Sequence, residues 1–243
     1  MALRSNVQAL ILGKTGAGKS LLARCLFARY PLAGARDYYL SVSTKEDHFL
    51  PPPPSEGPSC EIYFRKLGFS HLRLGPEHAR AKFRLSPALR HQPRLCLTLE
   101  GLGPEEAEYM MDEVGKTLLR LGHSVLLLDE ADLLVPRNHP PRWMLDLVRR
   151  GRYRGVDLII VSHNDTDIHN AILENTNLLI CFAMRHPTRI ERLRWYFDDP
   201  RVLADLAQYE YAWFDEVTGA SGIGSSSQDL ARLRADAPHL FSP

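Results

Sequence analysis

No stretch of the 243-residue chain approaches 18 consecutive apolar residues, so the sequence predicts no membrane-spanning segment. The N-terminal apolar run turns Gly-rich too soon for a signal peptide. The four cysteines, Cys25, Cys60, Cys96 and Cys181, form no CxxC pair and have no metal-ligand spacing. That excludes a zinc-ribbon or redox-motif protein and reads as small core residues in a reduced, intracellular chain. Charge of one sign is not in excess either: 30 basic side chains face 29 acidic ones, for a formal net charge of +1. A protein that binds a polyanion through bulk charge is therefore excluded, while a local patch is not. Lysine is scarce, six against 24 arginines, with none beyond Lys116. The heat-adaptation signature enriches Lys and Glu, so this bias points instead to a GC-rich genome.

What is present reads as a globular chain. The sequence is 44% hydrophobic and 24% charged, and a chain of this length buries roughly 70–75% of its extended surface. Val7–Leu12, Ser124–Leu128, Asp157–Val161 and Asn177–Phe182 are short, nearly continuous apolar runs. Such runs predict strands buried on both faces, as in a parallel sheet between helices. Pro104, Glu105 and Glu106 open a helix whose apolar side recurs through Ala107, Met110, Met111, Val114, Leu118 and Leu121, with Gly122 to close it. Another helix starts at Pro187, with Ile190, Leu193 and Phe197 on one side. Alternating strands and helices predict an α/β layer fold. Glu61–Lys66 and Arg94–Leu99 read as extra strands, Pro51–Pro54 as a rigid linker or a ligand for a proline-reading module, and Thr218–Gln228 as a mobile Gly/Ser loop. The expected organisation is one domain over 1–217, with an irregular Pro-rich insertion at about 48–93, and a tail over 218–243.

Gly13-Lys14-Thr15-Gly16-Ala17-Gly18-Lys19-Ser20 fits GxxxxGK[ST] between a buried strand and the helical run Leu21–Tyr30. In that setting the glycines let backbone N–H groups curl round a β-phosphate at the positive end of a helix. Gly13 to Leu21 would then hold the nucleotide, with Lys19 reaching the β- and γ-phosphates and the Ser20 hydroxyl binding Mg²⁺. Lys14 either meets a neighbouring subunit's nucleotide or stays solvated. Ser124–Leu128 runs into Asp129 and Glu130: Asp129 suits a carboxylate that orients Mg²⁺, and Glu130 a base that polarises water for in-line attack. No NKxD-type guanine reader is present, so ATP is the expected substrate.

The third strand ends in Ser162-His163-Asn164. In a parallel sheet that end lies beside the phosphate loop, so His163 either senses the γ-phosphate or is a structural histidine. Upstream, Arg149-Arg150-Gly151-Arg152-Tyr153-Arg154 holds four arginines in six residues. It reads as the source of an arginine finger, with Arg152 the favoured residue, acting in the same or the next subunit, or else as an ordinary basic face.

In order, GKTGAGKS, LLLDEAD, RRGRYRGVDLIIVSHND and ILENTNLLICFAM resemble the HerA–FtsK superfamily of DNA-translocating ATPases, over about residues 5–215. YYLSVSTKED at Tyr38–Asp47 resembles that family's second strand and turn. The family's third block ends in threonine-glutamine, where this chain has Ser162-His163. The resemblance implies a P-loop NTPase fold of the RecA/ASCE type, a mostly parallel sheet with helices on both faces. It also implies ATP and Mg²⁺, hydrolysis coupled to translocation of double-stranded DNA, and a homo-oligomeric ring, usually a hexamer. With about five residues before the first strand, the chain is similar to the bare genome-packaging motors of icosahedral viruses with an internal membrane. A capsid or membrane-vertex protein would be its docking partner, and host cytoplasm and virion its locations. Arg137 and Arg142, in a Pro-rich loop after Glu130, are then candidate contacts to DNA phosphates or incidental surface arginines. The other readings are a conjugation-type DNA pump, a phage morphogenesis or export ATPase, and a small-molecule kinase.

Overall fold

The computed structural model describes residues 6–44, 64–135, 140–163 and 168–241. The four apolar runs become the central strands β1 (Gln8–Leu12), β5 (Ser124–Leu128), β6 (Val156–Ser162) and β7 (Leu178–Phe182). They are joined by β2 (Tyr38–Ser43), β3 (Ser70–Leu74), β4 (Arg94–Leu99), β8 (Glu210–Asp215) and β9 (Ala220–Ser225). The sheet order is β3-β4-β2-β5-β6-β1-β7-β8-β9. Every pair from β3 to β7 is parallel, and β8 and β9 add an antiparallel hairpin. This is the α/β P-loop NTPase architecture.

Both faces are covered, which is why the strands read as unbroken apolar runs. Leu10 and Leu12, Leu126 and Leu128, and Leu158 and Ile160 face one core. Ala9 and Ile11, Val125 and Leu127, and Ile159 and Val161 face the other. The second core is closed by α1 (Lys19–Ala33) and α10 (Ser226–Asp236). The first lies under α2 (Pro76–Arg80), α3 (Leu85–His91), α4 (Pro104–Leu121), α5 (Ala131–Leu134), α6 (Arg142–Arg150), α7 (Asn170–Asn175), α8 (Pro187–Arg192) and α9 (Val202–Asp205). Each fully buried Leu or Ile contributes about 1.5–3 kcal/mol. Among the described residues, no helix is long and apolar enough to cross a membrane.

Pro51–Pro54 lies outside the described residues, and two other local expectations change. Of Glu61–Lys66, the described part belongs to a 3₁₀ turn, Phe64–Leu67, and the added strand is β3. The turn is held by aromatic packing, since Phe27 on α1 meets Phe64 at 5.8 Å and Phe69 at 5.5 Å between ring centroids. The insertion is thus structured over 64–93, with a strand and two helices. Thr218–Gln228 is not a loop: it holds β9 and the first turn of α10, so the expected boundary at 217/218 falls within the β8–β9 hairpin. The Gly/Ser composition has a packing cause. Gly224 pairs with Tyr211 and Gly222 with Trp213. A Cβ on either would come within 2.5 Å of the Tyr211 ring or 3.0 Å of the Trp213 ring, so the two glycines make room for the aromatics opposite.

Candidate active site

Seven parallel strands deliver their C-terminal ends to one edge of the sheet. β1 runs into the glycine loop, where Gly13, Gly16 and Gly18 take φ of 153°, 78° and 104°. These values lie in the region that favours glycine, and they fold the loop back so that α1 starts at Lys19. The first N–H groups of α1 have no intrahelical acceptor. Lys19 is buried at 6% exposure, and its Nζ donates to the Lys14 carbonyl at 2.9 Å.

β6 lies between β1 and β5, so the tip of β6 sits between the glycine loop and the acidic pair. His163 Nδ1 stands 3.4 Å from Lys19 Nζ and 3.3 Å from Thr15 Oγ1. Asp132 Oδ1 lies 3.4 Å from Ser162 Oγ and 3.5 Å from the His163 amide, tying the β6 tip to α5. Asp129 and Glu130 are 5% and 8% exposed. Glu130 has a positive φ of 56°, and its amide donates to Asp129 Oδ1 at 3.0 Å. Thr44, just past β2, donates its hydroxyl to Glu130 Oε2. A non-glycine residue in this conformation costs energy and persists where its surroundings over-determine it, commonly at functional sites.

Together these groups line a cleft of about 300 Å³ formed by Thr15, Gly16, Gly18, Lys19, Ser20, Leu21, Asp129, Glu130, Val161, Ser162, His163 and Tyr209. Its cationic end is Lys19 at the helix start, and its acidic end is the Asp129–Glu130 pair. The Ser20 hydroxyl and the Asp129 carboxylate open on the same cleft and are both oxygen donors, the set a hard divalent cation such as Mg²⁺ prefers. Gly13 is buried at the end of β1, while the Lys14 side chain is exposed. Lys14 and Ala17 border a second cavity of about 330 Å³ on the loop's other side.

None of the described arginines lines the cleft. Arg152 belongs to a 3₁₀ turn, Gly151–Arg154, that precedes β6, whereas His163 follows it. The strand between them separates Arg152 from its own chain's cleft. Arg152 is exposed, with its guanidinium 4.9 Å from the Tyr153 ring centroid and Nη2 donating to Tyr153 Oη at 3.0 Å. Arg154 instead closes the end of α4, donating from Nε to Leu119 O at 2.9 Å and from Nη2 to Arg120 O at 3.3 Å. Arg150 lies 3.9 Å from Asp146. Arg142 opens α6, its side chain almost fully exposed and 3.8 Å from Asp146, and Arg137 lies outside the described residues.

Thr44 and Tyr209 are the site residues that motif spacing missed. Thr44 falls in the YYLSVSTKED segment that the family resemblance singles out. Nothing in the sequence signals Tyr209, which follows α9 and lines both cavities.

No protein-family model matches the chain, and no curated protein matches it in sequence. Its fold is that of several solved structures. The genome packaging NTPase B204 from Sulfolobus turreted icosahedral virus 2, in complex with AMPPCP, is similar with a TM-score of 0.64 and 15% identity, over 92% of this chain and 99% of that one. VirB4 of Thermoanaerobacter pseudethanolicus has a TM-score of 0.64 and 15% identity, over 91% and 90%. The bacterial conjugative coupling protein TrwBΔN70 has a TM-score of 0.58 and 12% identity, over 93% and 88%. At 12–15% identity, the likeness to these structures is one of fold.

Proposed function

We propose that this chain is an ATP-hydrolysing translocase of double-stranded DNA that works as a homo-oligomeric ring and packages a viral genome into a preformed capsid. The observation that carries the reading is the convergence of Lys19, His163 and a Thr44-held Glu130 on one cleft beside the glycine loop. The same fold occurs in B204, whose structures include complexes with AMPPCP and ATP-γS.

In this reading the loop amides and Lys19 hold the β- and γ-phosphates and offset their charge. His163 donates an N–H of its ring to a γ-phosphate oxygen. Glu130 accepts a proton from a water as its oxygen attacks the γ-phosphorus in line, the bond to the β-bridging oxygen breaks, and ADP and phosphate result. Mg²⁺, held through Ser20 and Asp129, supplies neutralisation of phosphate charge when bound. Arg152 completes the site of the neighbouring subunit. Arg137 and Arg142 contact the backbone of the duplex, a few charges per subunit being concentrated by the ring.

The test is ATP turnover with and without long double-stranded DNA, alongside solution mass. The wild type is expected to be an oligomer stimulated by DNA. Glu130→Gln is expected to bind ATP normally and lose turnover by about 10²–10⁴-fold, the range for a general base. Sustained hydrolysis by that variant removes Glu130 from the role, and a monomer indifferent to DNA removes the motor. The likeness to VirB4 and TrwBΔN70 favours a conjugation-type pump as the second reading. Retention on capsids during DNA filling separates the two.

A further inference from the structure

We propose that the nucleobase of the bound nucleotide lies in the second cavity beside the glycine loop, with the ring of Tyr209 as its platform. The inference rests on the nucleotide reading of the first cleft and extends it to the other end of the ligand. The loop is flanked on both sides, and Thr15, Gly16 and Tyr209 line both cavities. The first cavity holds the phosphate-binding and acidic groups. The second, about 330 Å³, is walled by Phe182, Leu206 and Tyr209, with Arg185 and Gln208 at its polar side. Each volume is at the lower end for a ligand pocket. A nucleoside triphosphate with its γ-phosphate facing Glu130 extends along the loop from one into the other.

Tyr209 is held for this purpose. Its φ is 69°, a left-handed conformation that is a genuine outlier for a bulky residue. Two hydrogen bonds pin it there, since the Tyr209 carbonyl accepts from the Ser226 amide at 2.9 Å and from Ser226 Oγ at 3.2 Å. Ser226 is the first residue of α10 and fully buried. The ring lies against the last glycine of the loop: a Cβ on Gly18 would sit 2.8 Å from Tyr209 Cδ1. Yet Tyr209 is 40% exposed. A strained aromatic, fixed by a helix start and left half-open at the junction of two cavities, is suited to stacking a flat heterocycle.

The strain makes the test discriminating. Glycine adopts φ of 69° freely, so Tyr209→Gly removes the ring without harming the backbone. Asparagine also tolerates this conformation, so Tyr209→Asn serves if the glycine variant folds poorly. Calorimetric titration with ATP, GTP and inorganic triphosphate is the assay. Loss of stacking is expected to raise Kd for ATP and GTP alike by about 5- to 150-fold, since every base has a π-face. Triphosphate is expected to bind within about twofold of wild type, and Tyr209→Phe to keep ATP affinity, because only the ring is needed. Wild-type ATP affinity in the ringless variants overturns the proposal while leaving the phosphate site intact. Equal losses for ATP and triphosphate also overturn it, by showing that Tyr209 shapes the loop rather than the base site. Failure of wild type itself to bind either ligand overturns the nucleotide reading beneath it.

Discussion

If Arg152 completes an active site, that site belongs to another subunit. The strand β6 runs from Val156 to Ser162, and at about 3.3 Å per residue it places roughly 20 Å between the arginine turn and the cleft. No arginine side chain spans that distance, so Arg152 cannot reach the cleft of its own chain. Removing a finger lowers turnover by about 10³–10⁵-fold, or ~4–7 kcal/mol of transition-state stabilisation. Arg152→Ala alone is therefore expected to be nearly inactive, as is Lys19→Ala. In an equal mixture of the two, a competent interface needs an Arg152→Ala subunit supplying the nucleotide site and a Lys19→Ala subunit supplying the arginine. Random assembly with head-to-tail interfaces produces that arrangement at about a quarter of the interfaces. Steady-state ATP turnover of co-refolded mixtures is thus expected to recover to about a quarter of the wild-type rate. Arg154→Ala is the control: it loses the closure of α4 at Leu119 and Arg120, for roughly 1 kcal/mol of stability, and keeps turnover. Near-wild-type turnover by Arg152→Ala, or mixtures as dead as their components, refutes the assignment.

Three further outcomes are expected. Gly18→Ala puts a Cβ 2.7 Å from Ser226 Oγ and 2.8 Å from Tyr209 at φ 104°, costing about 2–5 kcal/mol by left-handed strain and overpacking; an unchanged Tm counts against this packing. Thr44→Ala removes the hydroxyl held to Glu130, so kcat is expected to fall about tenfold, the low end for a hydrogen bond to a charged group, with ATP affinity unchanged; equal kcat values dismiss the contact. Burial pushes the Asp157 carboxyl from 3.8 up to about 6, against the opposing pull of the Arg36 guanidinium at 2.6 Å and the Val7 amide at 2.7 Å. The folded chain then binds this proton more tightly than the unfolded one. Its contribution is fully present below pH 3.8 and is lost as pH rises through about 6, a change of about 3 kcal/mol. Asp157→Asn should lack that component in denaturation compared at pH 4 and 6.5. Identical slopes for the two proteins reject it.

The glycine loop and the acidic pair of the cleft were legible because their geometry restricts residue types. Only glycine accommodates the loop's φ values, and only a buried strand ending in carboxylates could deliver Asp129 and Glu130 beside Lys19. β1, β5, β6 and β7 were legible for a related reason, since strands covered on both faces carry their signal in their own residues. β9 carries almost none: ASGIGS has the composition of a linker, and it pairs because Tyr211 and Trp213 on β8 need the space its glycines leave. Its partner helix is fixed just as remotely, through Asp229, which accepts from Tyr211 Oη at 2.5 Å and pairs with Arg29 of α1 at 3.3 Å.

That remote wiring explains why Tyr209 was out of reach. Whether a tyrosine can be held at φ 69° depends on donors that meet its carbonyl, and here both come from Ser226, 17 residues further along. Ser226 can supply them only because the β8–β9 hairpin brings the chain back to the start of β8, beside Tyr209, and α10 begins there. The segment whose composition resembles a linker is therefore what fixes an aromatic ring against Gly18, at the start of the helix that carries Lys19. A change that loosens the hairpin, such as a bulky side chain at Gly224 against the Tyr211 ring, should act on nucleotide affinity through Tyr209 before it acts on Lys19 or Glu130, which are held from other strands.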